Sequence, residues 1–236
     1  MNQEEKDKFV KDIEHLLSIC DSYEPIKSDG SYTFEKVREC ILSLADSAIQ
    51  NKEECSALKE WMTEKTDFMK SPASTKFHGN FEHGLAVHSL VVVEQALRFA
   101  VPIMQNSWQT PICKDFCVSA EDVYVAAIAH DFCKADTYRT EFRNTKDVLG
   151  NWKKQAMYKT RSDSRNLGHG NESVLRLLSL MPSFIQKRYV LEAISRHMGF
   201  SDLSESEKYN YSVFINNPLV VLVQLADESA AHWFNL

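Results

Sequence analysis

The stretch VAAIAHDFCKAD, Val125 to Asp136, ends a run of small apolar residues on an adjacent histidine and aspartate, His130 and Asp131. Asp227 raises the same question inside PLVVLVQLADESAA, a segment that is apolar on nearly every side. A buried, unpaired carboxylate costs several kcal/mol or gives up its charge, so something cationic must face it. Of the eight histidines, His15 and His232 fall in polar or terminal contexts. His78 and His83 lead into His88 within FHGNFEHGLAVHSL, and His130, His169 and His197 follow, His169 between two glycines and His197 two residues before one. A lone core histidine is more often a hydrogen-bonded residue than a ligand. Here the set is large, and a divalent metal accounts for it at once. Neutral imidazoles and carboxylates are hard-to-borderline ligands, and the cation removes their burial penalty. Two ions account for it better than one, and the histidine-rich shell favours manganese, iron, nickel, cobalt or zinc over magnesium.

The elements that must position these groups are helices. Apolar residues recur at three and four spacing over 3–20, 33–50, 53–70, 82–101, 120–134, 171–180, 184–198 and 217–234, which predicts a mostly α protein. The exception is TYRTEFRNTKDVLGNWKKQAMYKT, where alternation on both sides of DVLGN predicts a β-hairpin at about 137–161, inserted among the helices. Residues 1–60 read as a helical appendage and 61–236 as the main domain. The longest apolar runs fall short of the ~20 residues that span a bilayer. The N-terminal MNQEEKDKFVKDIEHLL lacks the pattern of a secretory signal. A cytoplasmic protein with no membrane partner is the expectation.

In its order of residues the chain resembles the HD-domain superfamily of metal-dependent phosphohydrolases, whose pattern is a His, a later His-Asp doublet and a distant Asp. His88, His130-Asp131 and Asp227 stand in that order. The resemblance runs from about Trp61 to the C-terminus and includes STKFHGNFEHGLAVHS, the LGHG of 167–170 and the RHMG of 196–199. It implies an HD-type helical bundle in which His88, His130, Asp131 and Asp227 hold a first metal. It further implies that Asp131 bridges to a second metal bound by His169 and His197, which are expected on the rim of the cleft. Lys134, three residues beyond Asp131, shares its face if the helix continues, and similar family members keep a lysine there to stabilise phosphoryl charge. A salt bridge to Asp136 or Glu141 is the alternative. His78 and His83 are either contacts to the substrate phosphate or structural hydrogen bonders of their loop.

The implied activity is hydrolysis of a phosphomonoester or phosphodiester, on a nucleotide or related small phosphate, by a metal-activated hydroxide. The alternatives are an exonuclease on single-stranded RNA or DNA ends and an inactive module stabilised by metal. A formal charge of −6 and the lack of a recognisable nucleic-acid module weigh against the exonuclease. From Lys134 to Arg165, however, nine basic residues face four acidic ones. Arg139, Arg143 and Lys146 are therefore candidates for holding a leaving group.

Overall fold

In the computed structural model of the chain, residues 1–27, 30–146, 148–164 and 167–234 are described. Asp147, within the expected turn, and Arg165, counted in the basic segment, lie outside them. The protein is mostly α-helical with one two-stranded antiparallel hairpin, as the periodicity predicts. The helices are α1 (Gln3–Tyr23), α2 (Phe34–Ala48), α3 (Lys52–Glu60), α4 (Gly84–Ser107), α5 (Ala120–Ala129), α6 (His169–Leu180), α7 (Arg188–Arg196), the short α8 (Glu205–Lys208) and α9 (Tyr211–Phe214), and α10 (Pro218–Trp233). Between α5 and α6 lie β1 (Tyr138–Lys146) and β2 (Trp152–Thr160), in register from Tyr138 opposite Thr160 to Lys146 opposite Trp152.

Local chemistry sets the helix starts. Asn2 and Glu5 form a reciprocal cap at α1, and Ser119 with Asp122 forms another at α5. Asn217 caps α10, where Pro218 occupies the first turn at no loss of a hydrogen bond. Helix α5, AEDVYVAAIA, has no polar face beyond its first turn, and from Asp122 to Ala129 every residue is buried. It lies among α4, α7 and α10, and α4 packs along α10. By length and composition α4 could cross a membrane, but most of its apolar surface is buried inside the fold. Residues 1–60 share this core: Phe9 meets Trp108 edge-on at 5.7 Å, and the buried Tyr124 hydroxyl donates to the Ile41 carbonyl at 3.4 Å.

Three helix expectations need correction. The segment 184–198 begins in a 3₁₀ turn, Pro182–Gln186, breaks at Lys187 and is α-helical only over Arg188–Arg196. The segment 53–70 is helical only to Glu60, continues as one wider turn over Trp61–Lys65, and ends where Thr66 adopts extended backbone and its hydroxyl donates to Trp61. The segment 120–134 stops at Ala129. Asp131, at φ −110° and ψ 20°, leaves the helix, and a 3₁₀ turn, Phe132–Lys134, follows. That break places the His-Asp doublet at a helix end.

Candidate metal centre

The six expected ligands come from five helices. His88 lies one turn into α4, and Asp227 in the middle of α10. His130 caps the C-terminus of α5, His197 caps that of α7, and His169 opens α6. The two C-capping histidines use one device. His130 Nδ1 lies 2.6 Å from the Ala127 carbonyl, and His197 Nδ1 lies 2.7 Å from the Ile194 carbonyl, in each case three residues back. A carbonyl only accepts, so Nδ1 carries a proton in both, and His197 Nε2 thereby presents a lone pair to the interior. For His130, burial is outweighed by the charge of Asp131, which raises it and favours its protonated form until a metal takes the place of the Nε2 proton.

The ring nitrogens converge on Asp131. Its Oδ2 lies 3.3 Å from His130 Nε2 and 3.6 Å from His88 Nε2. Asp227 Oδ1 completes that side, 3.1 Å from His88 Nε2 and 3.7 Å from His130 Nε2, while the two imidazole nitrogens stand 3.4 Å apart. Asp131 Oδ1 faces the other pair, 2.6 Å from His169 Nε2 and 3.8 Å from His197 Nε2. Ligands ~2.0–2.2 Å from a common ion stand roughly 3–3.5 Å from one another, a spacing that the first side approaches at 3.1–3.7 Å, whereas on the second side His169 and Asp131 are joined by a direct hydrogen bond. His88, His130 and Asp131 form a buried cluster able to hold one ion.

The chemistry of the donors agrees. His197 Nε2 is buried without a hydrogen-bond partner among the described residues. A native interior rarely leaves such an atom unsatisfied, and a cation is the partner a bare imidazole lone pair accepts. Burial, reinforced by the charge of His130, pushes His197 down to about 4, so it stays neutral and available to a metal. For His169, burial is outweighed by the hydrogen bond to Asp131, which raises it to about 10. Asp131 is driven well below the usual carboxylate range, because Lys134, His130 and His169 together overcome its desolvation. Asp227 is likewise lowered against its burial, by His88 and His130.

Lys134 bonds Asp131 Oδ2 at 2.5 Å, with neither Asp136 nor Glu141 as its partner. The charge of Asp131 outweighs burial and pushes its ammonium up to about 12. Beside the cluster opens a cavity of about 640 Å³, lined by Lys134, His78, His169, Asp227, Tyr138 and Phe77 among others. The His78 ring lies 4.8 Å from that of His88, and burial holds it neutral, down to about 4.

Several expected site residues are placed elsewhere. His83 is structural: its Nδ1 donates to the Met69 carbonyl at 2.7 Å, its ring stacks on Phe34 at 3.7 Å, and its φ of 72° turns the chain into α4. His197 is 2% exposed, so it belongs to the core and not to the rim of the cleft. The cations of β1 do not line the cavity. Arg139 pairs with Glu141 at 3.1 Å, Lys146 lies over the Trp152 ring at 5.1 Å, and Arg143 is exposed on the strand. Alternation along a strand fixes its two faces but not which way the hairpin leans.

Sequence reasoning missed Cys133, whose Sγ lies 3.5 Å from His169 Nδ1 and which, with Asp131 and His169, forms a second group able to hold an ion. Its place two residues after Asp131 in HDFCKAD was the available signal. Glu228 and His232, a turn apart on α10, also line the cavity. Two glycines set the geometry. A Cβ at Gly84 would stand 2.0 Å from the Gly79 carbonyl oxygen, so only glycine lets the His78 loop close onto α4. A Cβ at Gly170 would stand 2.3 Å from the Ser195 carbonyl oxygen, where α6 and α7 bring His169 to His197. Compared with protein-family models, curated proteins and solved structures, the chain matches none.

Proposed function

We propose that the protein is a metal-dependent phosphohydrolase of the HD type, with a dinuclear centre, acting on a nucleotide-sized phosphate ester. The observation that carries this reading is Asp131, whose two carboxylate oxygens face separate donor sets: His88, His130 and Asp227 on one side, His169 and His197 on the other. Two divalent cations bound there supply hydroxide near neutral pH and draw charge from a phosphate oxygen. Manganese, iron, nickel, cobalt or zinc suits the donors better than magnesium.

The chain's own residues then have distinct tasks. Asp131 and Asp227 fix the centre while remaining ionised. Lys134, at the wall of the cavity, offers an ammonium to a phosphate oxygen as negative charge builds on it. His78, neutral and on the same wall, offers a hydrogen bond without adding charge. Tyr138 and Phe77 bound the space left for the organic part of the ester. A cavity of about 640 Å³ is in the range of small-molecule sites.

The test is to load the purified protein with each metal, count ions per chain, and screen nucleotides, cyclic dinucleotides and short oligonucleotides for phosphate and nucleoside release. Turnover that Asp131→Asn abolishes is expected. Protein that carries two ions per chain and releases neither product from any of these compounds would overturn the reading.

A further inference from the structure

The hairpin has surface chemistry that the metal centre does not use. Tyr138, Thr140, Phe142, Ala156 and Tyr158 line a groove of about 300 Å³ against the body of the protein near the base of the hairpin. Asp67 and Glu82 outweigh Lys70 in that groove, which disfavours an anion at the base, and by register Phe142 is the most distal residue of β1 to line it. The distal half differs. On the face that carries Phe142, alternation also places Asn144, Lys146, Trp152 and Lys154. Phe142 is 69% exposed and Trp152 is 70% exposed, so two flat rings stand in solvent among lysines. Arg143 and Lys153 occupy the other face at the same level. Among the described residues, Arg143, Lys153 and Lys154 have no carboxylate partner, whereas nearer the base Glu141 pairs with both Arg139 and Lys159.

We infer that the distal half of this hairpin is a docking surface for single-stranded nucleic acid, with Trp152 and Phe142 as stacking platforms and Lys153, Lys154 and Arg143 as phosphate contacts. Aromatic rings interleaved with cations are what a single strand requires, because every base has a π-face and every link a negative charge. Charge complementarity selects the partner. The cations gather on this hairpin while the chain as a whole carries −6, so a polyanion is drawn to this arm and repelled elsewhere. The exposed Val148 and Leu149 at the tip would also suit an anionic membrane. End-on insertion, however, would engage the tip alone, whereas the unpaired cations and rings are spread back along the shank. The strand explains their distribution and the membrane does not.

The experiment is fluorescence anisotropy with a labelled 15-nucleotide oligo-dT and its oligo-U counterpart, on the full chain in chelator so that no cleavage intervenes. The wild type is compared with Lys153→Glu/Lys154→Glu and with Trp152→Ala, all three checked for unchanged helical circular dichroism. Since each substituted side chain is exposed, the fold is expected to persist. The charge reversal is expected to weaken binding more than tenfold and to flatten the dependence of log Kd on log salt by about two phosphate contacts. Trp152→Ala is expected to weaken it about fivefold or more at unchanged salt slope. Wild-type protein that fails to bind either oligonucleotide, or variants that bind as it does, would overturn the proposal. So would co-sedimentation with phosphatidylserine vesicles in the absence of oligonucleotide binding, which would make the arm a membrane contact. Binding is read without turnover, so this result and the hydrolase result are independent.

Discussion

His197→Leu distinguishes a metal-ligating histidine from an ordinary core one, because the two roles have different consequences in metal-free and metal-loaded protein. The substitution removes the hydrogen bond from Nδ1 to the Ile194 carbonyl, at a cost of about 1 kcal/mol. It also removes an unsatisfied buried nitrogen, whose penalty is about 1–3 kcal/mol. Imperfect shape costs up to ~1.5 kcal/mol, so these contributions nearly cancel and metal-free stability should stay about unchanged. With metal, the balance changes. An ion present at a hundredfold excess over its Kd stabilises the native state by ~2.7 kcal/mol, and in a chain of this size each kcal/mol moves Tm by ~2–4 °C. The variant should therefore show a metal-induced Tm rise smaller than that of the wild type by about 5–10 °C, together with the loss of about one ion per chain. Differential scanning fluorimetry in chelator and in excess manganese or zinc, with elemental analysis, reads both. A metal-free loss of ~3 kcal/mol with undiminished ion content would show that His197 is a packing residue and refute the reasoning.

Gly170→Ala should act on the same ion without touching a ligand, since the added methyl meets the Ser195 backbone at 2.3 Å and must push α6 from α7. A stability loss of about 3 kcal/mol and reduced ion content are expected, and full metal content by elemental analysis would contradict it. Lys134→Ala leaves Asp131 without its 2.5 Å partner and should cost ~3–5 kcal/mol in chelator by urea unfolding, with much of the loss restored by metal. Turnover should fall ~10²–10³-fold with metal retained; full activity would exclude the assigned role. In metal-free protein His78 and His197 are held down to about 4 from an ordinary 6.5, so between those pH values the unfolded chain binds protons that the folded chain refuses. The urea midpoint should fall as pH drops through that window. His169, raised to about 10, contributes stability that is complete below 6.5 and lost as pH rises towards 10, so a midpoint flat from pH 4 to 10 would contradict both. Arg139→Ala removes only an exposed pair with Glu141 and should change stability by less than ~1 kcal/mol and activity not at all, as thermal melts and turnover would show.

Four of the expected ligands, His88, His130, Asp131 and Asp227, were legible because each is a titratable residue in an apolar segment, and burial makes such a residue conspicuous. Their aim was not legible. Periodicity runs through 120–134 without interruption, whereas the backbone leaves the helix at Asp131, and that departure turns its two oxygens towards different partners. Glycine neighbours suggested that His197 is exposed, but that residue caps α7 inside the core. For His83 the glycine beside it reflects a tight backbone turn, with the ring stacked on Phe34 far along the sequence. The hairpin followed from alternation, yet the lean that carries Arg143 and Lys146 away from the cavity depends on tertiary packing, which a period of two does not encode.

The position of the cluster at helix ends has an electrostatic consequence that a buried site in mid-helix would lack. Helices α5 and α7 both end at the centre, on His130 and His197, while α6 begins there on His169, so two negative C-termini outnumber one positive N-terminus and the balance favours a cation. In the proposed dinuclear state, two divalent cations would still outweigh Asp131 and Asp227, and Lys134 adds a further positive charge. A structural site built for folding would close its coordination and leave no such excess. Here the excess borders a cavity open to solvent, where a phosphate dianion with an attacking hydroxide would offset it. In that proposed state charge balance would reach completion only with the reacting groups in place, which is the condition for binding the transition state more tightly than the ground state.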